Sequence, residues 1–219
     1  MKLRRLLLLA LFLIAAPLAM AEGGESANGV FLVAAPGLAD PNFRHSVVLV
    51  TQMADGGSVG FIVNRPDELS LAQILPHNEV LKRFTEPLYL GGPMEAAGLF
   101  AMFRAKDNPP GALRVLGDVS FAMDPAVVEQ LLHAPPKSVR FFNGYAGWGP
   151  GQLAFELERG GWYVLHADAD TVFRKNMDTL WDELLQRARA VTAAAPDQLS
   201  AVSSDTPRRA RRVSHRLGR

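Results

Sequence analysis

Residues 142–153, Phe-Asn-Gly-Tyr-Ala-Gly-Trp-Gly-Pro-Gly-Gln-Leu, constrain the fold more than any other stretch of this chain. Four glycines, two aromatic residues after the first asparagine and a proline fit neither an ordinary helix nor an ordinary strand. Glycine opens backbone angles closed to other residues, or lets another chain segment approach. Proline fixes its own φ and suits the first turn of a helix. The local reading is therefore a hydrophobic strand over Val139–Asn143, a glycine turn, and a helix starting near Pro150 and running from Gly151 to Arg159. Within that turn, Gly147 or Gly149 is expected at positive φ.

The same logic divides the rest of the chain. Val30–Ala35 is apolar and strand-like. Ser46–Gln52 and Ser58–Asn64 are rich in β-branched residues, and Ala54-Asp55-Gly56-Gly57 between them is turn chemistry, which makes a hairpin. Short strands follow at Leu88–Leu90, Gly98–Arg104, Leu113–Leu116, Val119–Met123 and Trp162–His166. Ser70 is placed to cap a short helix through Leu75. Asp124-Pro125 opens a helix to about His133, with an acidic cap before a proline. Leu180, Leu184, Ala188 and Val191 recur at helical spacing, flanked by Trp181 and Leu185. Many short strands with irregularly interspersed helices favour an α+β domain over a regular parallel sheet.

The two ends differ from the middle. Lys2, Arg4 and Arg5 precede an uncharged run from Leu6 to Ala16, and Ala19-Met20-Ala21 stands before Glu22. A basic end, a short apolar run and a small-x-small site make a secretory signal peptide, with cleavage expected between Ala21 and Glu22. Residues 22–28 read as a flexible leader. After Thr192 the composition turns to alanine, proline and serine and then to arginine, so 193–219 reads as a disordered tail. That leaves 29–192 as the folded domain. The whole chain carries a formal charge of +1, but residues 22–207 hold 14 basic against 22 acidic side chains, while 208–219 hold six arginines and no acid. An acidic domain thus carries a cationic extension. The chain has no cysteine, which excludes disulfides, thiolate metal sites and cysteine nucleophiles.

Four motifs, in this order, resemble the AlgH/YqgE family of bacterial proteins. They are Asp40-Pro41-Asn42-Phe43 with Ser46-Val47-Val48; Gly60 through Asn64-Arg65-Pro66; Leu90-Gly91-Gly92-Pro93; and Gly144 through Leu153 with Glu156. The resemblance spans about 29–190. It implies a single α+β domain of coiled, bifurcated mixed β-sheets with packed helices. It implies no established reaction. Some members have been described as transcriptional regulators, a role that requires the cytoplasm. Members of the family usually lack a signal peptide and end soon after the last helix, so both ends of this chain depart from the pattern.

The candidate binding residues are Asn64, Arg65, Gly147, Trp148, Gly149, Gln152 and Glu156. The glycine turn before Pro150 offers backbone N–H groups at a helix start, a possible anion cradle. It is not a phosphate loop, because no Gly-Lys-Ser/Thr follows, and not a dinucleotide fingerprint, because Gln152 stands where the third glycine belongs. Gln152 and Glu156 share one helix face, and Glu156 is expected to pair structurally with Arg65. Asn64 suits the turn at the end of its strand. His45 and Ser46, as neighbours on a strand, face opposite ways and make no catalytic dyad. Five scattered histidines give no ligand spacing, and Asp168 with Asp170 reads as a helix cap. No catalytic set, metal or cofactor is expected. The preferred reading is a non-enzymatic binding or accessory protein of the cell envelope, periplasmic or secreted. An enzyme acting on a small anionic substrate at the Arg65/Glu156/glycine-turn region is the alternative. A cytoplasmic regulator is a third, if the signal does not function. Expected partners are a small anionic ligand or an envelope protein, with the arginine tail contacting anionic lipid or a polyanion; no specific nucleic-acid motif is present.

Overall fold

A computed structural model describes residues 29–74 and 76–194. The expected signal peptide over 1–21 with its expected Ala21/Glu22 cleavage point, the expected leader over 22–28 and all but the first two residues of the expected tail over 193–219 lie outside the described residues. The strands are β1 (Val30–Ala34), β2 (Val47–Gln52), β3 (Ser58–Ile62), β4 (Pro66–Ser70), β5 (Pro87–Leu90), β6 (Met94–Arg104), β7 (Ala112–Leu116), β8 (Val119–Ala122), β9 (Val139–Trp148) and β10 (Trp162–His166). The helices are α1 (Leu71–Ile74), α2 (Pro125–His133), α3 (Gln152–Glu158), α4 (Ala169–Phe173) and α5 (Leu180–Ala194).

The fold is α+β, built on one sheet in the order β10-β1-β2-β3-β9-β6-β8-β7, with β4 and β5 branching from β9. Its pairings are antiparallel except that of β5 with β9. β9 is the branch point. Its first half lies between β6 and β5, through Phe100↔Phe142 and Tyr89↔Phe142. Its second half lies against β3, through Val59↔Gly147 and Gly60↔Ala146. Apolar side chains on both faces of such a strand fill two cores. One, around Phe61, Phe121 and Phe142, is closed by α4 and α5. The other, around Leu32, Ile62, Trp148 and Trp162, is partly roofed by α3. A third core lies under α1 and α2.

Most local expectations hold: the hairpin of β2 and β3, the Asp124 cap of α2, and the Ser70 hydroxyl accepting from the Gln73 N–H at 3.3 Å. Two differ. The glycine stretch does not leave the sheet after Asn143; β9 runs on to Trp148, because β3 supplies a partner whose identity no local pattern encodes. The last helix, whose apolar stripe reads to Val191, continues to Ala194, since Ala193 and Ala194 extend it without a breaker before Pro196.

The branch needs glycine. Gly144 has φ +70, and a Cβ there would lie 2.5 Å from the Gly92 carbonyl oxygen and 2.8 Å from that of Met94. Cβ atoms at Gly91 and Gly92 would meet the Gly144 and Tyr145 carbonyls in turn. The Gly91 N–H donates to Asn143 O at 2.9 Å, and Gly91 O accepts from the Ile62 N–H at 2.8 Å. The Leu-Gly-Gly-Pro motif and the first glycine of the long motif are therefore two sides of one backbone crossing.

Candidate functional site

Positive φ in the long motif belongs to Gly144 and Gly151, not to Gly147 or Gly149 as expected. Gly147 is an extended strand residue paired with Val59, and strand geometry asks for no left-handed angle. The turn itself is Gly149-Pro150-Gly151, with Gly151 (φ +77) as the N-cap of α3.

Downstream of this turn the polar side chains close on one another. The Gln152 side-chain carbonyl accepts from the Gly149 N–H at 3.1 Å, and its amide donates to Glu156 Oε1 at 3.1 Å. Glu156 Oε2 accepts from both indoles, Trp148 Nε1 at 3.0 Å and Trp162 Nε1 at 2.9 Å. A buried indole requires an acceptor, and here one carboxylate serves two. Phe43 stacks on Trp148 at 5.7 Å between centroids and meets Trp162 edge-on at 5.3 Å. Trp148, Gln152 and Glu156 thus form a clamp joining β9, α3 and β10. The anion cradle loses the Gly149 N–H to Gln152.

Asn64 and Arg65 serve a different segment. Asn64 accepts from the Val47 N–H at 2.8 Å and donates to His45 O at 2.9 Å. The Arg65 fork donates to Asn42 O at 2.7 Å and Arg44 O at 3.1 Å. Burial lowers the Arg65 pKa from its ordinary value. Asp40 caps the same turn through the Asn42 N–H. Arg65 therefore does not pair with Glu156; the carbonyls of a turn that turns inward take its donors instead. Phe43, which the pinned turn presents to the tryptophans, links the two groups.

Other candidates are equally committed. The Ser46 hydroxyl donates to Phe43 O at 2.8 Å. His45 precedes the strand at φ +54 and packs on Trp181 at 4.3 Å. Asp168 caps α4 through the Thr171 N–H, as its position suggests, while Asp170 reaches Arg104 at 3.2 Å. Among the described residues no cluster of histidine and carboxylate could hold a metal ion. Sequence reasoning missed Arg140, a buried cation whose guanidinium donates to Val172 O and Arg174 O and lies 4.7 Å over the Tyr89 ring. Burial lowers its pKa. A lone arginine in a strand was the only signal.

Beside the clamp runs an open groove of about 660 Å³. Leu153, Ala154 and Leu157 of α3 form one wall, Val30 and Val50 the floor, and Met53 the far rim. α3 buries no residue completely, and Phe155 is 55% exposed.

The family model described as AlgH-like (DUF179) matches residues 31–192. The chain belongs to the AlgH-like family. Its relatives include a UPF0301 protein of Streptomyces avermitilis, 37% identical over 185 residues, covering 80% of this chain and 95% of the relative. A UPF0301 protein of Chlorobaculum tepidum is 33% identical over 156 residues, covering 70% and 82%. The solution structure of the AlgH protein from Pseudomonas aeruginosa is similar with a TM-score of 0.58 at 25% identity, covering 83% of this chain and 95% of that one. A crystal structure of protein DIP2367 from Corynebacterium diphtheriae gives 0.59 at 25% identity, covering 74% and 87%. In this AlgH-like chain, the family motifs map onto the glycine crossing, the indole clamp and the pinned turn.

Proposed function

We propose that this AlgH-like protein is a non-enzymatic binding or accessory protein of the cell envelope, exported by its N-terminal signal. One observation carries the reading. The polar side chains of the matching motifs are committed to backbone and to each other, through Asn64, Arg65, Gln152 and Glu156. The apolar residues of α3 beside them stay accessible along the groove. Catalysis needs an acid, base or nucleophile aimed at open space; recognition needs an accessible apolar surface with few polar groups. The signal sequence supplies the compartment, and the arginine tail, whenever it is free of the domain, supplies affinity for anionic lipid or a polyanion.

The test is a stabilisation screen on purified residues 22–219 with nucleotides, sugar phosphates, metals and envelope polyanions, alongside fractionation of the producing cell. The expected result is a periplasmic protein whose N-terminus is Glu22 and which is stabilised without converting any ligand. Chemical turnover of a ligand, lost on Arg65 or Glu156 substitution, would overturn the non-enzymatic part. A soluble cytoplasmic protein retaining Met1 would overturn the envelope part.

A further inference from the structure

A second groove, of about 360 Å³, opens between α2 and the irregular start of β6. Its floor is apolar, from Leu99, Phe100, Met123, Val128 and Leu132. Its rims carry Glu95 and Glu129, and no basic side chain lines it. Both carboxylates are exposed and neither has an ion-pair partner among the described residues. Burial first, and then the charge of Glu95, raise the pKa of the neighbouring Tyr145 hydroxyl. Two other grooves carry an excess of basic side chains. One is lined by Arg83, Lys137 and Arg140 with Glu86, another by Arg159 and Arg189 with Glu156.

The chain carries a segment of complementary chemistry. In Arg208-Arg209-Ala210-Arg211-Arg212-Val213-Ser214-His215-Arg216-Leu217-Gly218-Arg219 the apolar residues Val213 and Leu217 are four apart, with arginines around them. We propose that this C-terminal segment docks in the groove between α2 and β6 of its own chain, with Val213 and Leu217 on the apolar floor and arginines against Glu95 and Glu129. The charges match here and would repel at the two arginine-lined grooves. Length permits it: α5 ends at Ala194, and the intervening residues 195–207 reach up to about 45 Å when extended. A compact domain of this size has a radius of gyration of about 15 Å, so a reach of about 45 Å covers most of its surface. Apolar contact gives the docking a component that salt does not screen, unlike attraction to a general acidic surface. A docked tail withdraws its arginines from anionic surfaces.

The absence of cysteine makes the test direct. A nitroxide is attached to a single Ser214→Cys in residues 22–219, and amide signals of the intact chain are recorded. The expected result is broadening concentrated at Leu99, Val128 and Leu132. It should be lost in Glu95→Gln/Glu129→Gln, and lost again in Val213→Ser/Leu217→Ser, which keeps all six arginines and touches nothing in the folded domain. Broadening spread evenly over the surface, or unchanged in the serine variant, would overturn the proposal. Broadening that persists when spin-labelled chains are mixed with separate isotope-labelled chains at high dilution of the label would assign the tail to a second copy, and so overturn docking within one chain.

Discussion

Alanine substitutions along the long motif separate two costs that the sequence alone runs together. At Gly144 the backbone is left-handed, which costs a non-glycine residue about 1–2 kcal/mol. Its Cβ would also press on two carbonyls of the Gly92–Met94 segment at 2.5 and 2.8 Å, and these are backbone atoms of a paired region that cannot swing aside. Forced displacement of that kind costs about 1–3 kcal/mol. The restricted unfolded chain returns about 0.4–1 kcal/mol. Gly144→Ala should therefore destabilise the domain by about 2–4 kcal/mol, or roughly 5–15 °C for a protein this large. Gly151 has φ +77 but nothing within 4 Å of the added atom, so Gly151→Ala isolates the angle and should cost about 1 kcal/mol. Gly147 has an ordinary angle, and its Cβ would rest at 3.4 Å on the Tyr145 ring. Gly147→Ala should stay within about 0.5 kcal/mol of the parent. Urea unfolding, with midpoints compared at constant m, reads the series. If Gly147→Ala lost as much as Gly144→Ala, the crossing of Gly144 over Gly92 would not be what requires glycine, and the reasoning would fail.

Glu156→Ala leaves two indole N–H groups without their acceptor and should cost about 2–4 kcal/mol with a shift in tryptophan emission, whereas Glu156→Gln keeps an acceptor oxygen and should cost clearly less. Because Arg65 and Glu156 use separate partners, a double-mutant cycle with Arg65→Ala and Glu156→Ala should be additive within about 0.5 kcal/mol; larger coupling would show a link that the hydrogen bonds do not contain. Arg174 and Thr179 bind the Glu183 carboxylate and hold its pKa down to about 2, from an ordinary 4.5. A depressed folded pKa stabilises above the unfolded value and is lost as pH falls from about 4.5 toward 2, so Glu183→Gln should flatten the acid limb of the stability curve in that window and change little below it.

Much of this molecule was legible in its sequence because the signals are local. Strand alternation, the Asp55-Gly56 turn, the Ser70, Asp124 and Asp168 caps and the stripe of α5 depend on neighbours a few residues away. The family motifs also marked which positions matter. What each does was decided elsewhere. Gly144 differs from Gly147 only because the segment after β5 crosses one and not the other. Glu156 lies on the helix face expected, yet Trp162 and Trp148 take it rather than Arg65, since strand pairing brings β10 and β9 to α3. Arg65 turns instead to carbonyls more than twenty residues upstream. A sequence specifies which groups demand a partner, through chemistry that each residue carries with it. Which partner arrives is set by register and branching of the sheet, a property of many distant contacts satisfied together, and that only the tertiary structure decides.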